Sequence, residues 1–134
     1  MKKVYQNTYY DFSVNEDCDC IVFEWKSETF KMSENDFKDG LTNFTKYSEE
    51  NQCKEIVVDL RNFRGHPSPE VARDWRTHEV VPHYNKMGIK KFAYLISPEQ
   101  PAPQSLEPHK NEGENYETAV FDSEIEMWQW LKAG

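Results

Sequence analysis

The chain has no apolar run approaching the ~18 residues that a membrane-spanning helix needs. Its basic start, Met1-Lys2-Lys3-Val4, leads into Tyr5, Gln6, Asn7 and Thr8 rather than the apolar core of a secretory signal. These absences lead to the expectation of a cytoplasmic protein that does not insert into membranes. Cysteine is scarce as well: three are present, an odd count that gives no disulfide framework and suits a reducing compartment. Cys18 and Cys20 would share one face of a strand. Without further ligands at workable spacing they form no metal site and read as small residues at a strand's start. The five glycines are scattered, so there is no phosphate-cradling loop, and no Gly-x-Ser-x-Gly elbow occurs. Basic charge is in deficit, 16 residues against 24 acidic ones for a net −8. Such a balance repels phosphate backbones and anionic lipid, which sets nucleic acid and membrane surfaces aside as partners.

What is present is a single domain, residues 1–134, with rings enough (14% aromatic) to fill a core without staples. Val4–Phe12, rich in Tyr and Thr, reads as a first strand and Cys20–Trp25 as a second, joined through turn chemistry at Asn15, Glu16 and Asp17. Ser33 and Asp36 have the spacing of a helix capping box, with Met32 and Phe37 placed as a hydrophobic staple. Phe37, Leu41, Phe44 and Tyr47 then line one helical face. Gly40 interrupts it at a cost of about 1 kcal/mol relative to Ala. Glu55–Leu60 is a buried strand. Ser68 and Pro69 start a second helix through Val71, Ala72, Trp75 and Val80, which Pro82 should kink or end, with Gly88 closing the segment. Lys91–Ile96 and Tyr116–Phe121 are further strands, and a last helix carries Met127, Trp130 and Leu131. The Pro-rich stretch 97–115 reads as a long loop, either functional or mobile. The expected fold is α/β: a mixed sheet of four to five strands with about three helices, in the order ββαβαββα.

Two segments carry a likeness. The unit Phe121-Asp122-Ser123-Glu124-Ile125-Glu126-Met127-Trp128-Gln129-Trp130-Leu131 and the strand Ile56-Val57-Val58-Asp59-Leu60 resemble the STAS-like family, typified by anti-sigma-factor antagonists. The closest likeness is to its small CRAL-TRIO-like bacterial branch. The resemblance implies a non-catalytic, regulatory domain. It departs at one place: phosphorylatable antagonists have an Asp-Ser pair where Asp59-Leu60-Arg61-Asn62 stands here. Ser68 is the nearest substitute and reads as a helix cap, so no phosphate switch is carried over.

Of the residues that could carry chemistry, His78 and His83 are five apart, about 500° of helical turn, with Pro82 between them. That spacing is wrong for the paired histidines of a zinc protease, and no metal or cofactor is expected. Cys53, beside a buried strand, reads as packing. Asp59, Arg61, Asn62, Arg64 and His66 gather after the central strand's carboxyl end, where open α/β sheets bind ligands. They could clamp an anion, or Asp59, Arg61 and His66 could serve a small enzyme. The plainer alternative has Asp59 capping backbone amides while the arginines pair with acidic neighbours. Surplus rings at Trp75, Tyr84 and Trp128, with Trp130, either fill the core or line a pocket or a homodimer face. The preferred function is a binding module for a protein partner or a small apolar ligand, ahead of the enzyme.

Overall fold

The computed structural model describes residues 1–17, 19–99 and 112–133. The pairing of Cys18 with Cys20, and Pro101, Pro103 and Pro108 of the Pro-rich stretch, lie outside the described residues. Among the described residues six strands, β1 (Lys2–Gln6), β2 (Tyr10–Asn15), β3 (Cys20–Trp25), β4 (Glu55–Asp59), β5 (Lys91–Leu95) and β6 (Glu117–Phe121), form one sheet in sequence order. β1 to β3 are an antiparallel meander, and β3 to β6 run parallel. The α/β class is as expected, but the expected count of four to five strands is one short. The region read as one strand over Val4–Phe12 is broken by Asn7, whose Oδ1 accepts from the amides of Tyr9 and Tyr10 at 2.8 and 2.9 Å. This Asx turn folds the chain back within a stretch whose Tyr and Thr content favours strand throughout.

β4 lies inside the sheet between β3 and β5. Ile56, Val57 and Val58 are all buried, because helices cover both faces of a parallel sheet and leave no side of the strand for water. Helix α1 (Glu34–Glu50) links β3 to β4. Its start is the predicted capping box, with Ser33 Oγ accepting from Asp36 N and Asp36 Oδ2 accepting from Ser33 N. Between β4 and β5 the chain forms α2 (Pro69–Trp75), a π-turn (Arg76–Val80) and α3 (Val81–Met87) without interruption. Pro82 has no N–H to give and its ring would strike the carbonyl of His78 in a regular α-helix. The wider turn, in which Val81 N–H donates to the carbonyl of Arg76, absorbs the proline so that the helix continues. Gly88, at φ 76°, ends it in the left-handed conformation.

The two crossovers step the same way across the sheet, so one handedness places α1 and α2–α3 on the same face. Together they bury a ring-rich core, including Tyr10, Phe12, Phe23, Trp25, Phe37, Phe44, Tyr84, Phe92 and Tyr94. Helix α4 (Glu124–Lys132) lies on the other face, where Met127 and Leu131 meet Cys20, Val22, Val57, Ala93 and Leu95. Among the described residues, no helix is long and apolar enough to cross a membrane.

Candidate functional site

At the carboxyl end of β4 the contacts match the plainer alternative at Asp59 and Arg61 but not at Arg64. Asp59 is buried and accepts from Arg61 through both oxygens, Nε at 3.0 Å and Nη2 at 2.8 Å, while Oδ1 also accepts from the Arg61 backbone amide. Arg61 reaches Glu124 of α4 at 3.7 Å. Arg64 turns away: Nη1 donates to the carbonyl of Phe63, and its amide donates to Oγ1 of the buried Thr29. Asn62 and His66 are exposed. Of the expected cluster, Asp59 and Arg61 are brought together as a two-pronged pair.

The ring candidates divide. Tyr84 is buried in the core, and Trp75, Trp128 and Trp130 are half-buried. Trp75 carries Lys38 Nζ 5.2 Å above its ring, beside an open surface groove shared with Glu70, Val71 and Asp74. Its indole Nε1 is shielded from solvent and has no hydrogen-bond partner among the described residues. His78 turns to Asp74, and His83 lies 3.0 Å from Glu49, so the two histidines do not converge. No group of His, Cys, Asp and Glu among the described residues is placed to hold a metal ion. Cys53 is buried in the ring-rich core, as its position beside β4 led us to expect.

An open groove of about 670 Å³ lies at the amino ends of the parallel strands, opposite the end where this fold class binds ligands. Asp19 and Glu49 oppose Lys54, His83 and Lys86 across it, and Lys54 Nζ is already bound to the carbonyl of Met87 at 2.7 Å. Its mixed charges select no ligand.

A more distinctive arrangement lies beneath the π-turn. There a small void of about 20 Å³ is bounded by Phe23, Trp25, Phe44, Phe92, Tyr94 and other apolar side chains, with Arg76 as the charged member of the wall. Arg76 is paired with Glu112 in a two-pronged contact, Nε to Oε1 at 3.2 Å and Nη2 to Oε2 at 3.0 Å. Only 5% of one side chain and 3% of the other are exposed. Burial alone would lower the Arg76 pKa, but the Glu112 bonds and neighbouring charges outweigh it and raise it, so the guanidinium stays charged. Burial pushes the hydroxyls of Tyr84, Tyr94 and Tyr116 up, which keeps these neighbours neutral. A buried ion pair is weak evidence for stability, since apolar replacements often do as well. Apolar walls with a convergent polar group, beside a π-turn, share the chemistry of small-molecule sites but not their size, which runs to ~300–1,000 Å³.

No family model, curated protein or solved structure matches this chain.

Sequence reasoning misses both members of the pair. Arg76 had a signal: it stands four residues from Ala72 and from Val80, so helical periodicity puts it on the buried face with them. Glu112 had none, because its partner is 36 positions away.

Proposed function

We propose that the chain is a non-catalytic binding module that holds a small apolar molecule between the π-turn and the ring-rich face of the sheet. The observation that carries this reading is the void beside Arg76, walled by rings and built against a helix whose regular ladder is broken there. At about 20 Å³ the void has room for little more than one water, which needs ~10–15 Å³. A ligand must therefore displace a side chain to enter. Kinship with STAS-like domains, a regulatory role and a reducing interior belong to the same proposal. They are supported by the buried strand ending at Asp59, by the packing of α4 from the Phe121–Leu131 unit, and by the scarcity of cysteine.

A second reading, a protein partner docking on the Trp75 groove, is favoured by one observation: the shielded indole Nε1 that lacks an acceptor among the described residues. The enzyme alternative draws no support from Asp59, whose carboxylate is occupied by Arg61, or from the exposed His66. Native mass spectrometry of the chain purified from its own cell tests the main reading. A small-molecule adduct that disappears on denaturation is expected. A bare mass, with nothing extractable by organic solvent, would refute it, and a retained protein subunit would favour the Trp75 groove.

A further inference from the structure

The two margins of the sheet are finished differently. β1 carries Lys2 and Lys3, both exposed, and its register to β2 shifts between Lys3 and Tyr5, which leaves Val4 as a bulge. Edge lysines and a bulge keep a further strand from adding. β6, at the opposite margin, has neither. Its five residues, Glu117-Thr118-Ala119-Val120-Phe121, pair with β5 in unbroken register, and the charge it carries stands at its start. Val120 is 42% exposed, and Thr118, Ala119 and Phe121 are half-buried. The amide of Glu117 donates to the carbonyl of Lys90, and the carbonyl of Phe121 accepts from the amide of Ile96. Alternation along the strand therefore turns the N–H and C=O groups of Thr118 and Val120 outward, where no described residue takes them up.

We propose that the outer edge of β6 binds the same edge of a second copy of this chain, antiparallel about a two-fold axis at Ala119, giving one continuous sheet across a dimer. The strand itself sets the register. In an antiparallel ladder outward-facing residues meet outward-facing residues, and an axis at Ala119 is the one that pairs all five. Thr118 then exchanges two hydrogen bonds with Val120 of the partner subunit, and Val120 does the same with the partner's Thr118. Ala119 meets the partner's Ala119 at a non-hydrogen-bonded position, where Cα atoms approach to ~4.5 Å and a small side chain fits. Glu117 lies opposite the partner's Phe121, so like charges do not face each other across the ladder, an important condition for a chain of net charge −8. The half-buried rings of Phe121 and Trp130, 5.4 Å apart, carry the apolar strip on to α4. Pairing like with like closes the assembly at two and covers both β6 edges. Pairing β6 with β1 of another copy would add chains without end and is opposed by the bulge at Val4. This dimer goes beyond the apolar-ligand reading and does not depend on it.

Sedimentation velocity of the full chain, at concentrations up to about 500 μM to populate a small interface, tests the pairing. A reversible species at twice the 15.9 kDa chain mass is expected. A monomer throughout, or polymers that grow with concentration, would overturn the proposal. Val120→Lys, at an exposed position, sets a lysine into the new ladder from each copy and should weaken the dimer at least about ten-fold. Lys2→Thr, on β1, should leave it unaltered. A dimer indifferent to Val120→Lys, or one that Lys2→Thr alters as strongly, would place the interface elsewhere and refute the assignment. Should Val120→Lys not fold, Ala119→Cys serves in its place. Disulfides bridge Cα atoms ~4.4–6.8 Å apart, so mild oxidation should link two Ala119→Cys chains at the axis far faster than it links the parent through its native cysteines. Cross-linking no faster than the parent's would overturn the register, and with it the proposed edge.

Discussion

The two faces of the sheet are built from the same strands but not from the same material. Under α1, α2 and α3 the inward residues are rings, with Phe23 and Trp25 stacked at 4.3 Å and Phe44 4.6 Å from Phe23. Under α4 they are small, Cys20, Val22, Val57 and Ala93. The difference follows from cover. Three helical segments lie over the first face, whereas α4 is nine residues long and leaves the outer side of β1 and β2 to Lys3, Asp11, Ser13 and Asn15. A thick ring-filled layer has gaps between rigid plates, and a charged pair can be enclosed there. A thin aliphatic layer has no such depth. The candidate site lies on the face that carries the three helical segments.

The contrast is sharpest for substitutions that empty one layer or the other. Trp25→Ala should cost about 3–5 kcal/mol in urea melts, as aromatic-to-alanine changes in cores do. Glu112→Leu should cost about as much, ~3–5 kcal/mol, by removing the buried carboxylate that binds the Arg76 guanidinium through two hydrogen bonds. Adding Arg76→Met to it should bring stability back to within ~1 kcal/mol of the parent chain, since apolar groups can replace a buried pair. A double variant as unstable as Glu112→Leu alone would mean that the thick face depends on its ion pair for stability. Trp130→Ala, on the α4 face, should cost only about 1–2 kcal/mol because less apolar area is buried there. Trp130 is half-buried against Phe121, and Lys91 Nζ sits 5.0 Å over its ring. Equal losses at Trp25 and Trp130 would erase the distinction between the faces.

How much of this could be read beforehand varies with the range of the interaction. The capping box at Ser33 and Asp36, the turn at Asn15 and the Gly88 helix end depend on near neighbours, and each was legible from a few letters. The buried β4 was legible because a strand covered on both faces reads as an unbroken apolar run. The extra strand was hidden because Asn7 is one turn residue inside a stretch of strand-formers. Pro82 announced a break, but whether a helix ends or widens there is decided by what packs around it. The enclosure of Arg76 was half-legible from periodicity, and its partner on a Pro-rich connection was not. For the ligand-binding cluster at the sheet's edge, spacing alone could not show that Arg61 would close upon Asp59.

Gly40 separates local propensity from packing on the thick face. In an exposed helix, Gly→Ala gains about 1 kcal/mol. Here an added Cβ would lie 3.1 Å from Trp25 Cη2 and 3.1 Å from Tyr10 Cε2. Both rings are buried and held by other rings, so neither can retreat freely. Overpacking typically costs ~1–3 kcal/mol, which should outweigh the gain and leave Gly40→Ala destabilised by about 1 kcal/mol. A stabilised variant would show that the ring layer yields more easily than its geometry implies.

The smallest effect is expected on the bare side of β1 and β2. There Asp11 lies 3.0 Å from Lys3 Nζ and 2.9 Å from Lys26 Nζ, the latter off the direction of a good hydrogen bond to Oδ1. Burial by the lysine stems would raise the Asp11 pKa, but the two ammonium groups together outweigh it and hold it below its ordinary 3.8. A carboxylate whose folded pKa is depressed contributes stability at all pH values above its unfolded one, and that contribution fades as pH falls through the folded value. The lysines remain within reach of water and salt, so the contribution should be under about 1 kcal/mol. Asp11→Asn should therefore lower the melting temperature slightly at pH 7, by a margin that shrinks as the pH falls through the parent's folded pKa. A difference that persists undiminished through that fall would show that Asp11 acts through shape and hydrogen bonding rather than charge. The open face would then owe less to its ions than its contacts suggest.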